Sequence, residues 1–163
     1  IAPFTSIYIP RITQLTNKSN QFNLTAKRYT QSEIESISAD ENFMTAYGKL
    51  MDRFGDNGVV SVIIGEIKGD ECHICLWLMS CRVLKRNMEF AMMDYMVERC
   101  KEQGIHKMVG YYHPTKKNEI VRDFYEGLGF FKTIQKEAGD TVWEYEIPEV
   151  YIKRNTVIKE IQP

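Results

Sequence analysis

The chain has 163 residues, 44% of them hydrophobic, and carries a net charge of −1 from 21 Lys and Arg against 22 Asp and Glu. That length predicts one domain with a real core, and the composition excludes a disordered chain. A near-neutral balance argues against a protein built to coat nucleic acid, and the apolar runs are strand-sized, so no transmembrane helix is predicted. Ile1-Ala2-Pro3 opens the chain with no charged segment ahead of an apolar run, so no signal peptide is read, and the chain is expected to be part of a longer protein. Cys72, Cys75, Cys81 and Cys100 lack the spacing of a disulfide framework, which predicts a reduced, cytoplasmic setting.

Arg11 to Leu24 predicts a polar amphipathic helix marked by Ile12, Leu15 and Phe22. Arg28-Tyr29-Thr30 is a short extended piece. Ser32 opens a second, brief helix with Glu35 as its capping-box partner. Phe43 to Phe54 alternates and predicts a strand, closed by the turn Gly55-Asp56-Asn57-Gly58. Val59 to Ile67 is β-branched and apolar, as a central strand requires. After the turn Lys68-Gly69-Asp70-Glu71, Cys72 to Val83 is the longest strand candidate. Leu84 to Asn87 is a basic connector. Met88 to Gln103 predicts a helix with Phe90, Met93, Met96, Val97 and Cys100 facing inward, stopped by Gly104. Lys107 to Tyr112 is the next strand. A short helix then places Val121, Phe124, Tyr125 and Leu128 on one face and ends at Gly129. Phe130 to Lys136 and Val142 to Ile147 form a closing hairpin around Gly139-Asp140, and Pro148 to Pro163 receives no element. Cys72 to Tyr112 is long enough for a right-handed parallel crossover between flanking hairpins. The prediction is a single α/β domain over residues 1–163, with a mixed central sheet flanked by helices.

Asn118, Phe124, Tyr125, Gly129 and Phe130 form a pattern that resembles the second motif of the GNAT acyltransferase superfamily. The resemblance implies a GNAT acyl-CoA N-acyltransferase-like fold, Asn118 on the acyl-CoA arm and Tyr125 protonating the departing thiolate. The residues alone also allow Asn118 as a helix cap and Tyr125 as an amphipathic core residue. The resemblance further implies a pyrophosphate loop of the form Gln/Arg-x-x-Gly-x-Gly/Ala at a helix N-terminus. In that register stand Leu84, Lys85, Arg86, Asn87, Met88 and Glu89. Asn87 replaces the first glycine, a position where Asn tolerates left-handed backbone. Glu89 replaces the second; its carboxylate repels a pyrophosphate but suits the helix terminus. Lys85 and Arg86 are either phosphate partners or part of a solvated turn. The same likeness puts the backbone of Met79, Ser80 and Cys81 beside the pantetheine amides, with CoA or a phosphopantetheine thioester as cofactor. Cys72-His73-Ile74-Cys75 has metal-like spacing but no second pair, and no metal is expected.

Three longer stretches sharpen the likeness: Arg11 to Thr25 followed by Arg28-Tyr29-Thr30, Asp52 to Gly58, and Trp77 to Leu84. They resemble the C-terminal region of FkbH-like proteins. The resemblance implies a preceding HAD-type domain that loads a glyceryl unit from a phosphorylated glycerate onto an acyl carrier protein, for polyketide extender units. The HAD signature Asp-x-Asp-x-Thr, with its Mg²⁺, does not occur here, so by this resemblance the chain looks like the C-terminal GNAT-like domain alone. Three functions follow: an acyl or glyceryl transferase on a pantetheine thioester with Tyr125 as acid, a non-catalytic module that holds the carrier arm, or a conventional acetyl-CoA-dependent N-acetyltransferase. The last is weakened by Leu84 and Glu89. The expected partners are the acyl carrier protein and the HAD-like domain of the same chain, with neither nucleic acid nor membrane. Lys85, Arg86, Lys116 and Lys117 are the expected basic rim for an acidic carrier. The polar run Asn17 to Thr25 either lines the acyl pocket, contacts the HAD domain, or is a hydrogen-bonded turn.

Overall fold

Pro10 in the first turn pre-sets the backbone of α1, which runs Ile9–Lys18 in the computed structural model; the structure describes residues 1–161. The helix stops short of the expected Leu24. Asn17 donates to the carbonyls of Thr13 and Tyr29, competing with helix propagation, and Phe22 and Leu24 bury themselves elsewhere. The second helix, α2 (Gln31–Ala39), is capped by Thr30 rather than Ser32: the Thr30 hydroxyl accepts from the Glu33 amide and the Glu33 carboxylate accepts from the Thr30 amide.

Six strands follow: β1 (Phe43–Asp52), β2 (Gly55–Lys68), β3 (Glu71–Met79), β4 (Lys107–Tyr112), β5 (Phe131–Gln135) and β6 (Thr141–Glu146). The β1–β2 hairpin turns at Arg53-Phe54, two residues before the predicted turn, because Asp52 Oδ1 accepts from the Phe54 amide. β3 ends at Met79 rather than Val83, since Ser80 starts a 3₁₀ turn over Cys81–Val83. The crossover helix α3 spans Met88–Glu102. The predicted helix after Asn118 is two pieces, a 3₁₀ turn at Glu119–Val121 and α4 at Phe124–Gly127. Neither start has a side-chain cap, and so short a segment cannot propagate unaided. Gly129 stops it at φ +90°.

The sheet order is β1-β2-β3-β4-β6-β5, with β3 and β4 the parallel pair and the other neighbours antiparallel. Alternation splits the core. Val62, Ile64, Leu76 and Leu78 face α1 and α2, while Ile63, Ile74, Trp77 and Met79 face α3 and α4. The C-terminal segment runs along α3, where buried Asp94 accepts from the Tyr151 hydroxyl and the Arg154 and Asn155 amides. Among the described residues, no helix is long and apolar enough to cross a membrane.

Candidate functional site at the wedge between β3 and β4

The wedge originates in one extra residue. Ile64 faces Leu76 across β2 and β3, but Gly65 faces Ile74, so Cys75 is bulged. A bulge bends its strand, and β3 leaves β4 at that point: their pairing ends at Ile74 opposite Gly110. Beyond it both inner edges carry unpaired backbone groups that need partners.

The chain's own Phe22–Thr25 supplies them. The Leu24 amide donates to Trp77 O at 3.1 Å, and Phe22 O accepts from the Met79 amide at 3.1 Å. On the other side Leu24 O accepts from the His113 amide at 2.9 Å. The Thr25 hydroxyl donates to Cys75 O at 2.8 Å. Phe22 lies edge-on to Phe124, which lies edge-on to Trp77, each pair with ring centroids 4.9 Å apart. Asn23 and Leu24 have no solvent exposure. Asn23 Oδ1 accepts from the amide of Ala26, whose backbone is left-handed at φ +56°.

Burying Phe22 and Leu24 contributes about 1.5–3 kcal/mol each. Ordering the backbone opposes this by about 1–2 kcal/mol per residue. The two are of similar size, so the polar groups decide. Without this segment, Trp77 O, Met79 N and His113 N would lose their partners and Asn118 Nδ2 one of its two, at about 1–3 kcal/mol for each group left buried and unpaired.

The sequence-predicted residues fall in three groups. Met79 and Asn118 lie in the wedge and are engaged by the chain itself. Asn118 is fully buried and caps no helix; its Nδ2 donates to Asn23 O and His113 O, and its Oδ1 accepts from the Thr115 amide. The Ser80 amide donates to Val60 O, across β2. Cys81 is exposed. Lys85, Arg86, Asn87, Met88 and Glu89 form the entry to α3. Lys85 and Asn87 are both left-handed at φ +63°. Arg86 pairs with Asp52 at the hairpin, so its charge is already matched. Met88 is buried and packs over Gly48. Glu89 lies in the first turn of α3, and its Oε2 is buried without a hydrogen-bond partner.

Tyr125 corrects the expectation of an accessible acid. Its ring lies flat on Gly110, where a Cβ would fall 2.5 Å from ring atoms. The residue has no solvent exposure and its hydroxyl makes no hydrogen bond of ordinary geometry. Burial pushes its pKa far above the usual tyrosine range, with the nearby Tyr111 backbone acting the other way. In this arrangement the phenol has no route to a thiolate.

Above the filled wedge lies a cleft of about 730 Å³. Arg11, Lys18, Arg82, Lys116 and Lys117 line it together with Ser80, Cys81 and Gln21, and no carboxylate does. Its apolar floor is Leu15, Phe22 and Met79. Of the four cations named from the sequence, Lys116 and Lys117 line this cleft and Lys85 and Arg86 do not; Arg11, Lys18 and Arg82 do. Among the described residues, no three His, Cys, Asp or Glu side chains converge to hold a metal ion.

Free coenzyme A does not fit this residue set. The wedge that would take its pantetheine is filled, Glu89 stands where the resemblance puts the pyrophosphate, and Arg86 is engaged. Sequence reasoning missed Phe22–Thr25 as the extended segment that bridges to β3, and Gly110 as the seat of Tyr125. The signals were the apolar alternation Phe22-Asn23-Leu24 inside a polar run and a glycine in mid-strand.

No known family profile matches this sequence, and no curated protein sequence matches it. Solved structures do. The chain is similar to Ard1 from Thermoplasma volcanium at 21% identity and a TM-score of 0.67, covering 91% of this chain and 97% of that one. It is similar to the ribosomal-protein-S18-alanine N-acetyltransferase from Escherichia coli at 12% identity and a TM-score of 0.65, covering 93% and 97%. A third likeness is to the PaiA N-acetyltransferase from Thermoplasma acidophilum, solved in complex with coenzyme A, at 14% identity and a TM-score of 0.63, covering 89% and 96%. The chain therefore has the GNAT acetyltransferase fold, a six-stranded mixed sheet flanked by helices.

Proposed function

We propose that this chain is the docking domain for an acidic, phosphopantetheine-bearing acyl carrier protein within an FkbH-like protein, beside a HAD-like domain. The observation that carries this is the cleft over the filled wedge, rimmed by five cations and no carboxylate. Such a rim speeds and orients the encounter with an acidic partner. A carrier protein presents one phosphate and no adenosine pyrophosphate, so Glu89 at the start of α3 costs it nothing. Four free cysteines suit a reducing, cytoplasmic setting. The test is calorimetry with the arm-loaded carrier protein and, separately, acetyl-CoA, repeated on the Arg82→Glu/Lys116→Glu/Lys117→Glu variant. Carrier binding that weakens with salt and is lost in the variant, with acetyl-CoA silent, is the expected result. Tight acetyl-CoA binding with acetyl transfer to an amine would sink the proposal and restore a conventional N-acetyltransferase.

A second reading is an acyl or glyceryl transferase acting on the pantetheine thioester, with Tyr125 as acid. Two buried donors favour it: the Tyr125 hydroxyl and Trp77 Nε1 both lie among the aromatic rings around the wedge without a partner. Native structures rarely leave such groups orphaned. This reading needs Phe22–Thr25 to leave the wedge.

A further inference from the structure

We propose that Phe22–Thr25 is a permanent extended plug, bridged to β3 through Asn23 and Leu78, in the place of an acyl arm, and that the phosphate-bearing arm binds instead across the cleft above it. The phosphate sits on Arg82, Lys116 and Lys117, and the chain runs along Leu15, Phe22 and Met79. This rests on the carrier-docking function proposed above and names the site within it.

Permanence follows from how the strand is bonded. It is paired on both sides, to Trp77 and Met79 of β3 and to His113 after β4. Asn118 clamps its middle with an amide whose donors and acceptor are all used. Phe22 and Leu24 belong to the main core with Trp77, Val121 and Tyr125. A pantetheine chain offers no side chains to refill the space those two would leave.

The cleft has the chemistry the arm needs. Its volume of about 730 Å³ lies within the range of small-molecule sites. Five cations without a carboxylate favour an anionic phosphate over a neutral or cationic ligand. Its floor is apolar, and Ser19, Asn20, Gln21 and Ser80 offer polar groups for amides. Arg82, Lys116 and Lys117 are exposed, so their replacement leaves the fold intact.

The experiment titrates free 4′-phosphopantetheine into the chain and follows backbone amides by NMR and hydrogen exchange, with inorganic phosphate in parallel. Expected are shifts at Ser80 to Arg82 and at Lys116 and Lys117, with the Leu24, Met79 and His113 amides keeping their protection. Phosphopantetheine should bind about tenfold or more tighter than phosphate, and Arg82→Ala/Lys116→Ala/Lys117→Ala should lose about tenfold or more. Loss of protection at Leu24, Met79 and His113 on binding would overturn the proposal, because the arm would then be entering the wedge. So would phosphopantetheine binding no tighter than phosphate, or no binding of either. Carrier protein with and without its arm separates the two claims. If both forms bind equally while free phosphopantetheine is silent, docking stands and the cleft site falls. If neither form binds while free phosphopantetheine shifts the cleft amides, the cleft site stands and docking falls.

Discussion

The side-chain amide of Asn118 donates a 2.9 Å hydrogen bond to the backbone oxygen of Asn23, 95 positions earlier in the chain. The same nitrogen donates to His113 O, so one residue ties the strand in the wedge to the loop that follows β4. A buried amide with every hydrogen used fixes geometry more firmly than apolar contact does.

Replacing Asn118 should therefore cost stability out of proportion to its size. Asn118→Leu keeps the branched shape, with two methyls in place of the amide oxygen and nitrogen, but leaves Asn23 O, His113 O and the Thr115 amide without this partner. A loss of about 3 kcal/mol or more is expected, from about 1–3 kcal/mol per orphaned group. Urea unfolding measures it. An unchanged midpoint would mean that the strand is held by its backbone pairing alone.

Tyr125 and Gly110 make an opposed pair of predictions. Tyr125→Phe removes a hydroxyl that has no partner, so it should be neutral or stabilise by up to about 1 kcal/mol. Gly110→Ala drives a methyl into the Tyr125 ring and should destabilise by about 1–3 kcal/mol. The pH dependence has a definite sign. The folded-state pKa of Tyr125 is raised above its unfolded value, so its contribution is whole below about pH 10 and is lost as pH rises further. Tyr125→Phe should move the alkaline unfolding midpoint upward, read by circular dichroism. A midpoint that stays put would mean the hydroxyl reaches water.

Asp94 anchors the C-terminal segment. In Asp94→Ala the Arg154 and Asn155 amides and the Tyr151 hydroxyl lose their acceptor. The segment after Ile147 should then come away from α3 and be cut first in limited proteolysis, while the sheet core resists. Equal cleavage rates in both proteins would show that Phe90, packed beneath Arg154, and the other contacts along α3 are enough to hold it.

The sequence by itself determined the strands, the crossover helix and their order, because periodicity, turn glycines and capping side chains act within a few residues of each other. Val59 to Ile67 reads as a strand from its β-branched residues and flanking turns, and Met88 to Gln103 shows the face that α3 buries, with Phe90 at its edge. The motif Asn118 to Phe130 carried the likeness to the GNAT fold that the solved structures share. Only the tertiary structure decided what fills the wedge. Phe22 looks like the last apolar mark of a helix that starts at Arg11 until β3 bends at Cys75 and offers Phe22–Thr25 unpaired backbone and an aromatic pocket. Tyr125 looks like a surface acid until Gly110 lets its ring sink against β4. The five cations of the cleft come from α1, the turn after β3 and the loop after β4, so no window of sequence contains them together. Local signals fix what each segment becomes. Which segment completes another's hydrogen bonds depends on contacts up to 95 residues apart, and those exist only once the sheet has formed.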